Sequence, residues 1–212
     1  MLLSFIPTIT NTVNLSLSSG HFHPLFKQSV VSPLLKKSTL DNEQLSNYRP
    51  ISTLSLIFKI IERVVKSRLT DHLFSHSLLN PHQLAYRRHH FTETSLLYIH
   101  DHLITAIGSQ KLSCLCLLDI SAAFDTIDHD ILLTRLSSWF GIHGSVLNWF
   151  KSYLSRTFCV KCNDCFSSLH TSLYGVPQGS VLGPLLFIMY TTPLSTLISS
   201  LSLHHHLYAD DT

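Results

Sequence analysis

The chain has 212 residues, 45% hydrophobic and 13% charged, which is enough apolar material for a substantial core and argues against a disordered chain. So few charges raise the question of a membrane span. The longest apolar stretch, from Val181 to Tyr190, is broken by Gly183 and Pro184 and falls short of the ~20 residues that a bilayer crossing needs.

The net charge of +2 hides an asymmetry: residues 1–110 hold ten basic and six acidic groups, and residues 111–212 hold five basic and seven acidic. A basic first half suits a polyphosphate partner, although charge alone favours a plain solvated face. The sign changes near Lys111, a candidate lobe boundary. The opening residues, Met1 to Pro7, lack the basic leader and long apolar region of a signal peptide. The chain is therefore expected inside the cell, in nucleus or cytoplasm, and off the membrane.

In chain order, Leu56 to Leu73 carries apolar pairs at Leu56/Ile57, Ile60/Ile61 and Val64/Val65, followed by Leu69, a four-residue recurrence that predicts an amphipathic helix. A second helix is expected from about Thr92, as a cap, to Ile107, with Gly108 as its stop. The apolar run from Leu112 to Leu118 is followed at once by Asp119, the pattern of a buried strand that delivers a carboxylate at its end. Two short helices should follow. Asp130 would cap the first, which carries Leu132, Leu133, Leu136 and Phe140 and stops at Gly141; the second carries Val146, Trp149, Phe150 and Tyr153. Residues 157–163 and 169–174 suggest a strand pair around a polar turn. A buried helix is expected over Ser180 to Ser195, then a last strand over His206 to Ala209 ending on Asp210 and Asp211. This order implies an α+β fold with a sheet covered by helices on one face.

Six of the ten aspartates fall at Asp119, Asp125, Asp128, Asp130, Asp210 and Asp211. Adjacent carboxylates repel one another, so such clusters in an acid-poor chain suggest helix caps or a cation site. Nucleotidyl transfer uses two divalent cations held about 3.5–4 Å apart, and carboxylates from two neighbouring strands can supply that clamp. Magnesium suits such a site, because it takes few protein oxygens and completes its shell with water and phosphate. A carboxylate pair alone is a weak signal.

The company those aspartates keep is more specific. In order, the chain carries Val31-Ser32-Pro33-Leu34-Leu35-Lys36-Lys37, Asn47-Tyr48-Arg49-Pro50-Ile51-Ser52, and Gln83-Leu84-Ala85-Tyr86-Arg87. There follow Leu118-Asp119-Ile120-Ser121-Ala122-Ala123-Phe124-Asp125, Gly175-Val176-Pro177-Gln178-Gly179-Ser180 and Tyr208-Ala209-Asp210-Asp211. Over nearly its whole length the sequence resembles the reverse transcriptases of non-LTR (LINE-type) retrotransposons.

The resemblance implies the fingers and part of the palm of a right-hand polymerase, with an antiparallel palm sheet. Residues 1–110 would be fingers-like and 111–212 partial palm. It makes Asp119 and Asp210 the catalytic carboxylates that bind both metals, with Asp211 in support and the Ile120 carbonyl as a further ligand. The ions would be two Mg2+, with Mn2+ as a substitute. Phe124 matches the aromatic steric gate that fills the space of a ribose 2′-hydroxyl, and Gln178 the glutamine beside the incoming nucleotide, where Gly179 permits close backbone approach. Arg49 falls where related fingers place a base on the triphosphate. Lys36, Lys37, Arg87 and Arg88 are candidate nucleic-acid contacts or plain surface. Partners would be an RNA template, a DNA primer and deoxynucleoside triphosphates.

The chain stops one residue past the aspartate pair, so the next hairpin strand and the thumb of that family are missing, as are an endonuclease and an RNase H. Phe91-Thr92 stands where the family often has Ser-Thr, and His23 where proline is commoner. The isolated chain is therefore expected to be inactive, with a non-catalytic nucleic-acid-binding relic as the rival; an RNA-dependent RNA polymerase is disfavoured by aromatic Phe124.

Two features tempt without fitting. Cys159, Cys162 and Cys165 lack the second paired cluster of a zinc ribbon, and on a strand Cys159 and Cys162 face opposite ways. His204, His205 and His206 alternate in direction along an extended chain. Cys114 and Cys116 are expected in the core.

Overall fold

A computed structural model describes residues 2–83, 91–118, 120 and 122–208. The chain opens with α1 (Leu2–Ser19), then β1 (Gln28–Leu35), β2 (Tyr48–Thr53), α2 (Leu56–Ser75) and α3 (Thr92–Gly108). It continues through α4 (His129–Ser138), α5 (Gly144–Leu154), β3 (Thr157–Cys162), β4 (Cys165–Phe166), β5 (His170–Thr171) and α6 (Gly183–Ser200). The α+β class expected from the sequence is observed.

The sheet is mixed, not purely antiparallel. β2 pairs antiparallel with β1, and β1 pairs parallel with β3, with Val30 opposite Cys159 and Val31 opposite Val160. β4 and β5 both add antiparallel to β3. Pro33 on β1 stands opposite Pro50 on β2. Neither has an N–H, so they can face each other only as a pair that exchanges no hydrogen bonds. Pro33 also lies past the residues of β1 that pair with β3, so the ladder loses nothing there.

The core is aromatic at its centre. Phe22 meets Phe58 of α2, and Trp149 and Tyr153 of α5, edge-on at ring distances of 5.1, 5.5 and 5.6 Å, while Trp149 and Tyr153 stack. Perpendicular ring pairs set the positive edge of one ring on the negative face of the next, which adds to plain burial. Trp149 also donates its indole N–H to Ser16 of α1 at 3.0 Å. α2 presents Phe58, Ile61, Val65, Leu69 and Leu73 to this core, the stripe predicted by its periodicity.

Several expectations need correction. Residues 112–118 form no strand: Leu112, Leu115, Leu117 and Leu118 are exposed, and so are Cys114 and Cys116, which therefore do not pack in the core. An apolar run has no partner to bury it until a neighbouring strand is in register, and composition alone does not supply one. α4 is capped by Asp128, whose carboxylate accepts the Ile131 N–H at 2.9 Å, and not by Asp130, which lies in its first turn. α3 begins at Thr92 after Phe91, with no side-chain cap. α6 starts three residues later than expected, with Pro184 in its first turn, and runs through Pro193 to Ser200. Of the expected strand over 206–209, Leu207 makes an isolated parallel bridge to Gln83, and Ala209 lies outside the described residues.

Among the described residues no helix is long and apolar enough to cross a membrane, and no group of three or more His, Cys, Asp or Glu is arranged to hold a metal ion. Cys159 is buried and Cys162 exposed, on opposite faces of β3 as its period requires.

Candidate active site

Three segments converge around Gln178. The first is the turn after Ile120, closed by the Asp125 N–H donating to Ala122 O at 2.8 Å, with Ala122 in the left-handed region at φ 54°. The second is the loop 174–180. Val176 N–H donates to Phe124 O at 2.8 Å and Gly175 N–H to Ile127 O at 2.7 Å, so the two loops lie backbone to backbone. Gly175 makes this approach possible: its φ is +76°, and a Cβ there would stand 2.8 Å from Phe124 O and 2.9 Å from the Asp125 backbone. The third is the end of β2, where Ser52 N–H donates to Gln178 O at 3.0 Å and Ile51 bridges Gln178 in parallel.

The Gln178 side chain donates through Nε2 to Asp125 Oδ2 at 3.0 Å. Burial raises the Asp125 carboxyl above its ordinary range, and the Gln178 bond pulls it partly back. Gly179 has φ +102°, and a Cβ there would stand 3.3 Å from Ser52 O. The Phe124 ring is half-buried and lies 5.5 Å from the Phe187 ring of α6. His129 follows at the start of α4 with a ring nitrogen 2.8 Å from Gly175 O; burial foremost holds its pKa below the usual imidazole range.

Beneath this junction lies a buried polar hub. Glu62 of α2 is fully buried among apolar neighbours. Its carboxylate accepts the Tyr153 hydroxyl at 2.6 Å, the Ser180 hydroxyl at 2.5 Å and the Val181 N–H at 2.8 Å. Ser180 in turn accepts the Leu182 and Gly183 N–H groups at 3.1 and 3.0 Å, satisfying donors at the start of α6. The Pro177-Gln178-Gly179-Ser180 turn is thus tied to α2 and α5 at one end and to β2 at the other.

Of the residues expected to act, Ile120, Phe124, Gln178 and Gly179 occupy or adjoin this junction. Arg49 is exposed on β2, two residues before Ile51 and so on the same strand face. Lys36 is exposed, with Nζ donating to Ser46 O at 2.9 Å, and Lys37 is exposed. Asp119, Asp210, Asp211, Arg87 and Arg88 lie outside the described residues. The chain leading to the second aspartate block is anchored: Leu207 is buried and its N–H donates to His82 O at 2.9 Å.

Sequence reasoning gave no role to Glu62 or Arg156, and took Asp125 only as part of an acidic cluster and Tyr153 as an apolar helix position. Glu62 had a readable signal, since it stands four residues after Phe58 and three before Val65, on the buried stripe of α2. An acid there must find donors or forfeit its charge.

Residues 34–212 match the family described as reverse transcriptase (RNA-dependent DNA polymerase). The probable RNA-directed DNA polymerase from transposon BS of Drosophila melanogaster is 34% identical over 76% of this chain and 18% of its own length. That from transposon X-element of the same fly is 33% identical over 86% of this chain and 20% of its own. The RNA-directed DNA polymerase from mobile element jockey is 30% identical over 99% and 23%. This chain therefore spans about a fifth of the length of these relatives. Among solved structures, apo telomerase from Candida tropicalis, truncated from its C-terminal domain, superposes with a TM-score of 0.59 at 14% identity, over 96% of this chain and 48% of that one. At that identity the likeness speaks for the fold alone. With the family matched over most of its length and relatives among non-LTR elements, the chain belongs to the reverse transcriptases of LINE-type retrotransposons.

Proposed function

We propose that this chain supplies the polymerising core for RNA-templated DNA synthesis, adding deoxynucleotides to a DNA primer inside the cell, in nucleus or cytoplasm. The observation that carries this reading is the Gln178–Asp125 bond, which draws the Pro-Gln-Gly turn, the loop holding Phe124 and the end of β2 into one junction. Residues 1–110 serve as fingers and 111–212 as partial palm.

In this reading Asp119, Asp210 and Asp211 hold the metal ions, with the Ile120 carbonyl. Carboxylates and a backbone carbonyl are hard oxygen donors, which fits magnesium, or manganese in its place. Ions held by these residues would supply activation of the primer hydroxyl and charge neutralisation on the departing pyrophosphate. The protein's own share is positioning. Phe124, braced by Phe187, excludes a 2′-hydroxyl. Gln178 packs beside the incoming nucleotide, its amide held by Asp125. Arg49 takes the triphosphate, with Lys36, Lys37, Arg87 and Arg88 along the nucleic-acid path.

The test is primer extension on an RNA template with magnesium, using this sequence joined to the segments that its relatives carry downstream. Incorporation by wild type and none above background by Asp119→Ala is the expected result. Equal incorporation by the two sinks the assignment, and salt-sensitive RNA binding without any incorporation moves the reading to a binding module.

A further inference from the structure

A cleft of about 290 Å3 opens between β1, β2, β3 and the loops at Asp125 and Tyr174, with Arg156 among its lining residues. Arg156 is 4% exposed, and none of its three guanidinium nitrogens has a hydrogen-bond partner. Its guanidinium instead lies 4.4 Å above the Tyr153 ring. A ring face attracts a cation but satisfies none of its five N–H donors, so a buried arginine in this state lacks the anion that would repay its desolvation. Glu62 does not serve: its carboxylate bonds Tyr153, Ser180 and Val181 and makes no hydrogen bond to Arg156.

We infer that this cleft is a phosphate site, with Arg156 as its cation and a phosphodiester of a bound nucleic-acid strand as its ligand. The guanidinium fork matches two phosphate oxygens at once. Ser29 and Ser52 on the cleft walls add hydroxyls, and Phe158 and Tyr174 add ring faces suited to a sugar or base. Asp125 lines the same cleft. Its carboxylate disfavours the crowded charge of a triphosphate and tolerates the single charge of a diester. The identity of the strand rests on the polymerase reading; the anion site does not.

Two measurements on the full chain test this. In the first, the Arg156 Nε–Hε NMR signal is followed while inorganic phosphate, a deoxynucleoside triphosphate and a short single-stranded RNA are added in turn. The RNA should shift it at the lowest concentration. A signal unmoved by all three overturns the site, and one moved by phosphate or triphosphate but not RNA overturns the strand assignment. In the second, RNA affinity is measured across salt concentrations. Arg156→Gln should bind roughly tenfold more weakly and lose about one from the log–log salt slope, whereas Arg156→Lys should keep that slope. An unchanged slope in a folded Arg156→Gln overturns the proposal. If that variant fails to fold, the wild-type NMR titration decides alone. Both readouts are binding, so a chain that binds RNA through Arg156 and makes no DNA separates this inference from the polymerase reading.

Discussion

The Glu62 carboxylate accepts the Val181 backbone N–H at 2.8 Å, which fastens the start of α6 to a helix more than a hundred residues earlier in the chain. Glu62→Ala removes the acceptor for that N–H and for the Tyr153 and Ser180 hydroxyls together. It should cost about 3 kcal/mol or more, as each buried donor loses its partner. Glu62→Gln keeps one acceptor and should cost about 1–2 kcal/mol. Urea denaturation with a circular-dichroism readout gives both values, and a neutral Glu62→Ala would contradict the hub.

Gly175→Ala forces a side chain into a left-handed backbone with 2.8 Å to Phe124 O. A loss of about 2 kcal/mol or more is expected. Gly108 is the internal control, since a Cβ there meets nothing within 4 Å, and Gly108→Ala should gain about 0.4–1 kcal/mol. Thermal melts of the pair should move in opposite directions.

Acid should weaken the fold through its histidines. Burial foremost lowers the pKa of His129, His205 and His206 below the ordinary 6.5. The unfolded chain then binds more protons than the folded one once pH falls below 6.5. The stability these residues contribute is complete above that value and drains as pH drops toward their lowered folded values. Unfolding free energies between about pH 7 and pH 5 should fall accordingly, and His206→Leu should make the decline shallower. A flat profile would rule out this linkage.

Gln178→Ala removes the one contact that counters the burial of Asp125, so the Asp125 carboxyl should titrate higher still. Carbon-13 NMR of that carboxyl across pH reads the change, and a downward shift would refute the assignment of Gln178 as its donor.

Phe124→Ala opens the space above the Phe187 ring. In the primer-extension test it should raise ribonucleotide use relative to deoxyribonucleotide use by at least about tenfold, the order that a pocket-filling change commands. Competition assays on one template measure it, and an unaltered ratio would return Phe124 to the role of a core aromatic.

Helices α2 and α5 were legible in the sequence because a 3.6-residue period writes itself into neighbouring positions, and α6 as a long apolar run. The junction was legible only in pieces. Gln178 and Phe124 could be named, yet the bond between Gln178 and Asp125 spans 53 positions, and no local pattern encodes it. The run 112–118 misled for the converse reason: its apolar residues satisfy the local rule for a strand, while burial depends on a partner in register. The choice between Asp128 and Asp130 as cap turned on which carboxylate reaches a free N–H, a shift of two positions, within the usual scatter of helix ends.

The parallel pairing of β1 with β3 also sets a timetable for synthesis. β2 lies close behind β1 and can fold back on it as soon as both leave the ribosome, but Gln28 waits for Thr157 before its other edge is covered. At roughly 5–20 residues per second, that open edge stays available to other chains for several seconds or more. A chaperone holding the nascent chain would have its clearest task during that interval, and slow codons between β2 and β3 should lower soluble yield.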